Sequence, residues 1–304
     1  MTQRERNATV RPRFSIIIPV YNDWKPLEEC LQSLARQSNA PGFEVILVDD
    51  GSTETAPEYI RSAGQGHPLT VIEQAHAGIP AARNRGIRAS KGEVLLFVDA
   101  DCRLLADCLA ALSSVIASAP QHDCFQLRLV GNCSTLVGRA EHLRLLSFQS
   151  YMLQPDGSIR YLNTAGFAIR RERADISDGV FEPAALRAED TLLLAHLIQD
   201  GELPLFVPNA VVEHAIPLSL MQCVQKDIQS VSLEDRAYGI IASKGVKIRI
   251  SHRDRLSLLQ SMWKVAGQAS IGRSAWFVLV VRQSLQRMIS VAYRCLRIRP
   301  APQA

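Results

Sequence analysis

The stretch GEVLLFVDAD, residues 92–101, carries the strongest fold signal in the sequence. Val94 to Val98 is a continuous apolar run that follows Gly92 and leads into the acidic triplet Asp99-Ala100-Asp101. A short apolar run bounded by turn residues is typical of a strand that is buried on both faces. We therefore predict a buried strand with two carboxylates at its carboxyl end.

Three similar runs precede this strand, with helix-like spacing between them. The predicted strands are Phe14 to Ile18, ended by Pro19, then Glu44 to Val48, and Leu69 to Ile72. The predicted helices are Leu27 to Leu34, Ala56 to Ala63, and Ile79 to Ala89. This alternation predicts an α/β fold, a mainly parallel sheet with helices on both faces.

The second half of the chain has a less regular pattern. We predict an amphipathic helix over 105–116, mixed structure over 122–169, a helix over 191–199 and a strand over 203–212. From residue 218 the pattern is helical and increasingly basic. The predicted organisation is a disordered N-terminal arm over 1–13, an α/β domain over 14–217 with halves 14–112 and 113–217, and a C-terminal helical region over 218–304.

Composition excludes several classes of protein. Apolar residues make up 47% of the 304 residues and charged residues 21%, as in globular proteins with a core. The seven cysteines lack CxxC spacing, which argues against a disulfide framework or a zinc site and favours a cytoplasmic protein. Met1 to Arg13 does not resemble a secretory signal, and the apolar run Ala275 to Val281 is shorter than a single-pass anchor needs.

Charge is distributed unevenly. The net charge is +4, but the chain from Lys244 onward holds twelve Lys and Arg and a single acid, Asp254, so the remainder is acidic. This asymmetry predicts an anionic partner, either a membrane or a nucleic acid. No nucleic-acid-binding motif accompanies the charge, so we predict no nucleic acid partner.

Polar motifs follow three predicted strands, at Tyr21-Asn22-Asp23, Asp49-Asp50-Gly51-Ser52 and Asp99-Ala100-Asp101. Ligands of such sheets bind beyond the carboxyl ends of the strands. The last motif could bind Mg²⁺ or Mn²⁺ together with diphosphate oxygens, or it is a solvated acidic turn. The second could accept a hydrogen bond from a nucleobase, or it is an ordinary turn with a helix cap at Ser52 or Thr53.

Two further sites depend on predicted helices. Arg83 could contact a diphosphate or sugar hydroxyls, or it is a surface arginine. Asp190 opens the helix over 191–199, where the helix N-terminus favours a carboxylate. It could take a proton from an acceptor hydroxyl, or it merely complements the helix dipole.

These residues together resemble the family 2 glycosyltransferases, which have the GT-A fold. The motifs that carry the resemblance are Ser15 to Asn22, Val45 to Thr53, Ala81 to Gly86, Gly92 to Asp101 and the pair Glu189-Asp190. Their order and spacing agree with the family over Phe14 to about Leu112 and more thinly to about His214. Cys102 departs from the pattern, because many relatives carry another acid there. The Gln-x-x-Arg-Trp motif of processive synthases is absent from the sequence.

The resemblance implies residue roles. The implied donor-binding residues are Pro19, Tyr21, Asp49, Asp50, Ser52, Gly78, Arg83, Asn84, Asp99, Ala100 and Asp101. The implied metal ligands are Asp101, Asp99 and His214. Asp190 would be the catalytic base, and Gly166 and Glu189 would lie on the acceptor side.

We therefore predict an inverting glycosyltransferase that uses Mn²⁺ or Mg²⁺ and a nucleoside diphosphate sugar, most simply UDP-linked. The acceptor would be a glycan, cell-surface polysaccharide precursor or glycolipid. The alternatives are a nucleotidyltransferase, although Pro19 to Asp23 contains no glycine, and an inactive nucleotide-sugar-binding protein. A Rossmann dehydrogenase is disfavoured, since no GxGxxG follows the first strand.

The basic C-terminal region allows two interpretations. Its arginines interleave with aromatic and aliphatic residues between Trp263 and Arg299. Amphipathic helices of this composition can lie in the interface of an anionic membrane, which would make the protein peripheral on the inner face of the cell membrane. Alternatively, the helices pack on the catalytic domain and direct their arginines to solvent.

Overall fold

The computed structural model describes residues 11–62, 66–174, 177, 179–186, 188–214, 219–226, 228, 229, 231, 239, 252–268 and 271–296. The strands are β1 Phe14–Val20, β2 Phe43–Asp49, β3 Leu69–Glu73, β4 Val94–Phe97, β5 Cys102–Leu104, β6 Cys124–Gly131, β7 Phe167–Arg170 and β8 Leu205–His214. The helices are α1 Trp24–Ala35, α2 Tyr59–Ser62, α3 Ile79–Ala89, α4 Cys108–Ser118, α5 Leu136–Met152, α6 Glu189–Gln199, α7 His252–Gln268 and α8 Arg273–Leu296. A 3₁₀ turn spans Thr164–Gly166.

All eight strands form one sheet in the order β3-β2-β1-β4-β7-β6-β8-β5. The first four strands in this order are parallel, as the sequence predicts, whereas β7 joins β4 antiparallel and begins a mixed half. Alternate residues of β1 belong to different cores. Ile16 and Ile18 pack in the cluster that includes α1 and α4, and Ile17 packs in the cluster that includes α3 and α6. Helices therefore cover both faces of the sheet.

The first strand differs from its prediction, because it continues through Pro19 to Val20. The pairing of β1 with β4 ends at Ile17 opposite Phe97. Beyond Ile17 the strand pairs with β2 alone, and Pro19 lies opposite Val48. Proline is tolerated where a strand has an unpaired side, since no ladder bond requires its missing N–H.

Strand β5 is not predicted by the sequence analysis. Its three residues are too few for a periodic signal, and they directly precede the residue at which a helix is predicted to begin, Leu105. That helix begins instead at Cys108, and β5 pairs antiparallel with β8. The register places Cys102 opposite His214, so the acidic motif that precedes β5 lies beside the end of β8.

The N-terminal arm is shorter than predicted. The backbone N–H of Arg13 donates to the carbonyl of Gly42 at 2.7 Å, and its carbonyl accepts from Val94. The Arg11 side chain donates to the carbonyl of Lys91 at 2.7 Å. Residues 11–13 therefore belong to the domain, and residues 1–10 lie outside the described part of the chain.

The C-terminal helical extension is confirmed, and it packs on the catalytic domain. Helices α7 and α8 form an apolar cluster with α5, in which Leu258, Met262 and Leu279 pack with Ala140 and Leu143. Within the described residues, no helix combines the length and apolar character that crossing a bilayer requires. Residues 215–218, which contain the predicted domain boundary, are not described.

Candidate active site

The edge where β5 meets β8 brings together Asp101 and His214, two of the three predicted metal ligands. The Nε2 atom of His214 lies 3.4 Å from Oδ2 of Asp101. The Cys102 thiol completes a group whose ligand atoms lie within 4.8 Å of one another. Burial, reinforced by the charge of Asp101, raises the pKa of the Cys102 thiol well above its usual value. The Cys102 thiol is therefore protonated and lines the site without adding charge to it.

The charge distribution at this edge suits a hard divalent cation. Burial and the charge of Asp101 raise the pKa of Asp23, which shows that Asp23 shares the edge with the acidic motif. A carboxylate and an imidazole that offer two ligand atoms leave coordination positions for diphosphate oxygens, the arrangement that Mg²⁺ and Mn²⁺ accept. The residues Asp101 and His214 fit such an ion.

Arg83 lies at the centre of the site and is only 1% exposed. Its Nη2 donates to Oδ1 of Asp99 at 2.8 Å, and its Nη1 donates to Oε1 of Glu189 at 2.8 Å. Burial opposes the charge of the guanidinium, but Asp99 and Glu189 outweigh burial and raise its pKa. The guanidinium carbon lies 5.4 Å from the centre of the Phe181 ring.

The structure thus gives Arg83 and Asp99 different positions from those that the sequence suggests. Arg83 is an internal cation that joins α3 to α6, because the buried face of α3 points toward the first turn of α6. Asp99 commits one oxygen to Arg83, whereas Asp101 turns toward His214. The two carboxylates of the motif therefore have separate partners.

Asp190, the predicted base, lies in the first turn of α6. Its Oδ1 accepts a hydrogen bond of 2.6 Å from the hydroxyl of Thr164. Burial and the charge of Glu189 raise the pKa of Asp190 to about 7, against the opposing effects of Arg83 and Thr164. A carboxyl group that titrates near neutrality can both accept and release a proton at physiological pH.

Thr164 is missed by the sequence analysis as a functional residue. It belongs to the 3₁₀ turn before β7, which Asn163 caps by accepting from the N–H of Ala165. Gly166 ends this turn, and a Cβ there would stand 2.8 Å from Leu129. The resemblance draws attention to this segment through Gly166, but a threonine that faces a helix distant in sequence leaves no periodic signal.

Asp50 is buried and organises the loop that precedes α3. Its Oδ1 accepts from the N–H of Ala77 and from Gln74, and its Oδ2 accepts from the N–H of Gly78 at 2.8 Å. The Nδ1 of His76 lies 2.9 Å from the same Oδ2. Asp50 therefore holds in place the loop that lines the predicted base pocket.

The exposed part of that pocket is an aromatic pair. The rings of Tyr21 and His76 lie 4.4 Å apart, and Tyr21 is exposed. Both rings follow strand ends, so they form a surface on which a planar base can stack. His76 is a second residue that the sequence analysis did not assign.

Several predicted donor-binding residues contact other parts of the chain. The N–H of Ser52 donates to Oδ1 of Asp49, and the hydroxyl of Ser52 accepts from the N–H of Asn22, so Asp49 and Ser52 tie two loops together. Pro19 and Ala100 are buried beside the site. These contacts agree with a turn at the second motif, but the predicted helix cap at Ser52 or Thr53 is wrong, because the next helix, α2, begins only at Tyr59.

Asn84 and Gly78 shape neighbouring backbone. The Asn84 amide donates to the carbonyl of Phe181 at 2.7 Å and accepts from the N–H groups of Val180 and Phe181. Gly78 has φ of +90°, and a Cβ there would stand 2.5 Å from Leu186. The Asn84 side chain thus holds the loop before α6.

Comparisons with known proteins find similar sequences over the first part of the chain. A model of the family described as glycosyl transferase family 2 matches residues 15–176. EpsJ of Bacillus subtilis, described as an uncharacterized glycosyltransferase, is 42% identical over 91 residues, 30% of this chain and 26% of EpsJ. A PGL/p-HBAD biosynthesis glycosyltransferase of Mycobacterium tuberculosis is 38% identical over 115 residues, 37% of this chain and 44% of that protein. The matched stretch thus spans less than half of these relatives.

Solved structures resemble most of the chain. The mannosyltransferase PcManGT from Pyrobaculum calidifontis, in complex with GDP-Man and Mn²⁺, has a TM-score of 0.57 at 18% identity, covering 96% of this chain and 82% of that one. TarS from S. aureus has a TM-score of 0.55 at 17% identity, covering 92% and 55%. At this identity the likeness bears on the fold, and it confirms the GT-A prediction.

Proposed function

Because the chain belongs to glycosyl transferase family 2, we propose that it transfers a sugar from a nucleoside diphosphate donor to an acceptor hydroxyl, with inversion at the anomeric carbon. One observation carries this proposal. Arg83 joins Asp99 of the donor-side motif to Glu189, the neighbour of Asp190, whose pKa is raised to about 7. A donor site and a general base are thus held together by one buried cation.

The donor is proposed to be a UDP-sugar. TarS has been crystallised in complex with UDP-GlcNAc, at a TM-score of 0.52, and PcManGT with GDP-Man, so folds of this type accept nucleoside diphosphate sugars. In this chain the base would stack on Tyr21 and His76, and the diphosphate would lie toward Asp99-Ala100-Asp101. Both features follow the carboxyl ends of parallel strands, where ligands of such sheets bind.

Asp101 and His214 would hold the divalent cation, Mn²⁺ or Mg²⁺. When bound, such an ion neutralises charge on the leaving diphosphate. The chain itself supplies Cys102, which excludes water behind the two ligands, and Arg83, which fixes the Asp99 carboxylate next to them.

Asp190 is proposed to take the proton of the acceptor hydroxyl. Thr164 donates to Oδ1 and orients the carboxylate, so Oδ2 is the atom that accepts the proton. The acceptor oxygen forms the new bond to the anomeric carbon as the bond from that carbon to the diphosphate oxygen breaks, and the electron pair leaves with the diphosphate. A single displacement with one base inverts the anomeric centre.

The acceptor is proposed to be a hydroxyl of a glycan or of a lipid-linked glycan. The acceptor side is formed by Thr164, Gly166, Glu189 and Asp190, which come from the mixed half of the sheet and from α6. This half differs most from a plain nucleotide-binding sheet, which agrees with a role in choosing the acceptor.

A thermal-shift measurement tests the donor site. We expect UDP-sugar with Mn²⁺ to raise the melting temperature by about 5 °C at saturating ligand, because a ligand that binds only the folded state stabilises it by mass action. Chelation of the metal should remove most of this shift. In Asp101→Asn the metal-dependent part should be lost as well.

Asp107→Asn is the matched control, because Asp107 is an exposed aspartate a few residues further on. It should keep the full shift. An Asp101→Asn protein with an unchanged Mn²⁺-dependent shift would remove Asp101 from the proposed metal site. Absence of any shift with a panel of UDP-, GDP- and dTDP-sugars would contradict the donor class.

The pH profile of transfer tests the base. Since burial raises the pKa of Asp190 to about 7, the reactive carboxylate is lost as pH falls through that value. We expect kcat/KM, measured by release of nucleoside diphosphate, to fall about tenfold per unit below about pH 7 and to level off above it. A profile that stays flat down to about pH 5 would show that a less perturbed group acts as the base.

A further inference from the structure

An apolar stripe lies along the outer face of α8. It consists of Phe277, Val281, Met288 and Val291, whose exposed fractions are 57%, 51%, 67% and 59%. Their spacing follows the helical repeat, so they share one face over about 20 Å. On the opposite face of α8, Ala275 and Leu279 are buried in the cluster with α5. The stripe therefore points away from the catalytic domain. Its side chains are apolar, either hydrocarbon or thioether, and yet they are exposed.

An aromatic corner continues the stripe at the junction of α7 and α8. Trp263 and Trp276 meet edge to face with centroids 4.9 Å apart, and Trp276 meets Phe277 in the same way at 5.2 Å. The guanidinium of Arg273 lies 5.0 Å over the ring of Trp263. Tryptophan with a neighbouring arginine suits a boundary between apolar and aqueous phases, because the ring is amphipathic and the cation can reach water or headgroups.

The sequence that carries the stripe has charge of one sign. From Arg255 to Ala304 the sequence contains eight Arg and Lys and no Asp or Glu. Arg273 and Arg287 are exposed on α8, beside the stripe. A partner that matches this surface must carry negative charge where it meets the arginines and must be apolar where it meets the stripe. A second copy of the same surface would oppose positive charge to positive charge, whereas an anionic lipid leaflet supplies both properties.

We propose that the stripe and the aromatic corner dock this protein on the anionic surface of a lipid bilayer, with α8 lying in the plane of the interface. The side chains of the stripe enter the boundary between headgroups and acyl chains, and Arg273 and Arg287 contact lipid phosphates. The buried face of α8 stays packed on α5, so docking requires no unfolding.

The inner face of α8 links this surface to α5, which belongs to the half of the domain over 113–217. Arg282 donates to Oε2 of Glu141 on α5 at 3.2 Å, and Glu141 also binds Arg144, with Nη2 to Oε1 at 2.6 Å. Glu141 also lies within electrostatic range of the His214 side chain. Docking would hold the acceptor half next to the membrane, where a lipid-linked acceptor resides; this consequence rests on the proposed function, whereas lipid binding itself does not.

Vesicle co-sedimentation of the full chain tests the proposal. Vesicles of phosphatidylcholine with phosphatidylglycerol should bind the protein, and vesicles of phosphatidylcholine alone should bind it much more weakly. Val281→Ser with Met288→Ser should weaken binding about tenfold, because hydrocarbon that enters the interface is lost. Arg273→Gln with Arg287→Gln should weaken binding to the anionic vesicles about thirtyfold and should leave binding to neutral vesicles unchanged.

The matched control is Val71→Ser with Leu105→Ser, which removes two similarly exposed apolar side chains from the catalytic domain. This protein should bind vesicles like the parent, and all variants should keep the parent melting temperature. Equal binding by the parent and the Val281/Met288 variant would overturn the proposal. So would a protein that ignores vesicles but forms a dimer that this variant dissociates, because the stripe would then be an interface between copies. Binding is measured without donor, so a failure of sugar transfer leaves its result intact.

Discussion

Replacing Asp190 with asparagine is expected to lower kcat by about 10²- to 10⁴-fold, the usual contribution of a positioned general base. Asparagine keeps the size of the side chain and an oxygen that can accept from Thr164, but it cannot take the proton of the acceptor. The donor site, formed around Asp101 and the aromatic pair, is separate, so KM for the donor should change little. The measurement is steady-state release of nucleoside diphosphate in the presence of acceptor. Undiminished turnover would remove Asp190 from the mechanism.

The stability of the same variant separates loss of chemistry from loss of fold. The folded pKa of Asp190, about 7, lies above its ordinary value of 3.8, so ionisation of this group destabilises the folded state. This cost is absent below about pH 4, grows as pH rises and is complete above about pH 7. The asparagine side chain does not ionise. We therefore expect Asp190→Asn to be more stable than the parent at about pH 8, by up to about 4 kcal/mol, and equally stable at about pH 4.

Thr164→Val is the companion variant. It removes the hydroxyl that donates to Asp190 and nearly preserves the volume of the side chain. Because that hydrogen bond lowers the pKa of Asp190, its loss should move the acid limb of the pH–rate profile upward. A profile that does not move would show that Thr164 has no role in setting the base.

Replacing Arg83 with methionine should cause the largest loss of stability. The side chain is buried and neutralises Asp99 and Glu189, and Asp190 lies beside them. Removing one partner of a buried ion pair costs about 3–5 kcal/mol, since the remaining charges stay buried without compensation. The measurement is urea unfolding at about pH 8, above the pKa of Asp190 of about 7. We also expect loss of activity, because Asp99 and Glu189 would lose the side chain that holds both of them in place.

The pH dependence of that loss distinguishes charge from packing. At about pH 5 Asp190, whose pKa is raised to about 7, is protonated, so the cluster carries less negative charge and Arg83→Met should lose less stability there than at about pH 8. A loss of equal size at both values would assign it to packing against Phe181 instead. Arg85→Met is the matched control, since Arg85 lies on the same helix and is exposed. Its free energy of unfolding should stay within about 0.5 kcal/mol of the parent.

The sequence predicts strands and helices correctly where a periodic pattern of apolar residues ends at a turn. The runs at Phe14, Glu44 and Val94 predict the parallel core of the sheet, since buried strands and their flanking turns leave a local signal. The helix predicted over 191–199, which begins at Glu189 in the structure, has the same local signal, whereas the role of Asp190 as the base is what the family resemblance implies. Each of these depends on neighbours in sequence.

Long-range contacts left no such signal. Asp101 and His214 meet because β5 pairs with β8, which lies far along the chain, and β5 is too short to recognise. Arg83 is buried because Asp99 and Glu189, which are far apart in sequence, both contact it. In the sequence alone it could be a surface arginine, whereas in the structure it is internal. The contacts of Asn84 and Asp50 are not predicted for the same reason, because these side chains accept from backbone N–H groups that composition does not reveal.

The bridge formed by Arg83 has a consequence for how such an enzyme can be rebuilt. Asp99 and Arg83 lie in residues 14–112, whereas Glu189 lies in residues 113–217. A chimera could take its acceptor half from a relative that has no acid at the position of Glu189. The buried guanidinium of Arg83 would then keep Asp99 as a partner and lose the other ion pair. Exchange of acceptor halves, in the laboratory or by recombination, should therefore succeed only between proteins that share this acid, or when Glu189 is restored in the graft.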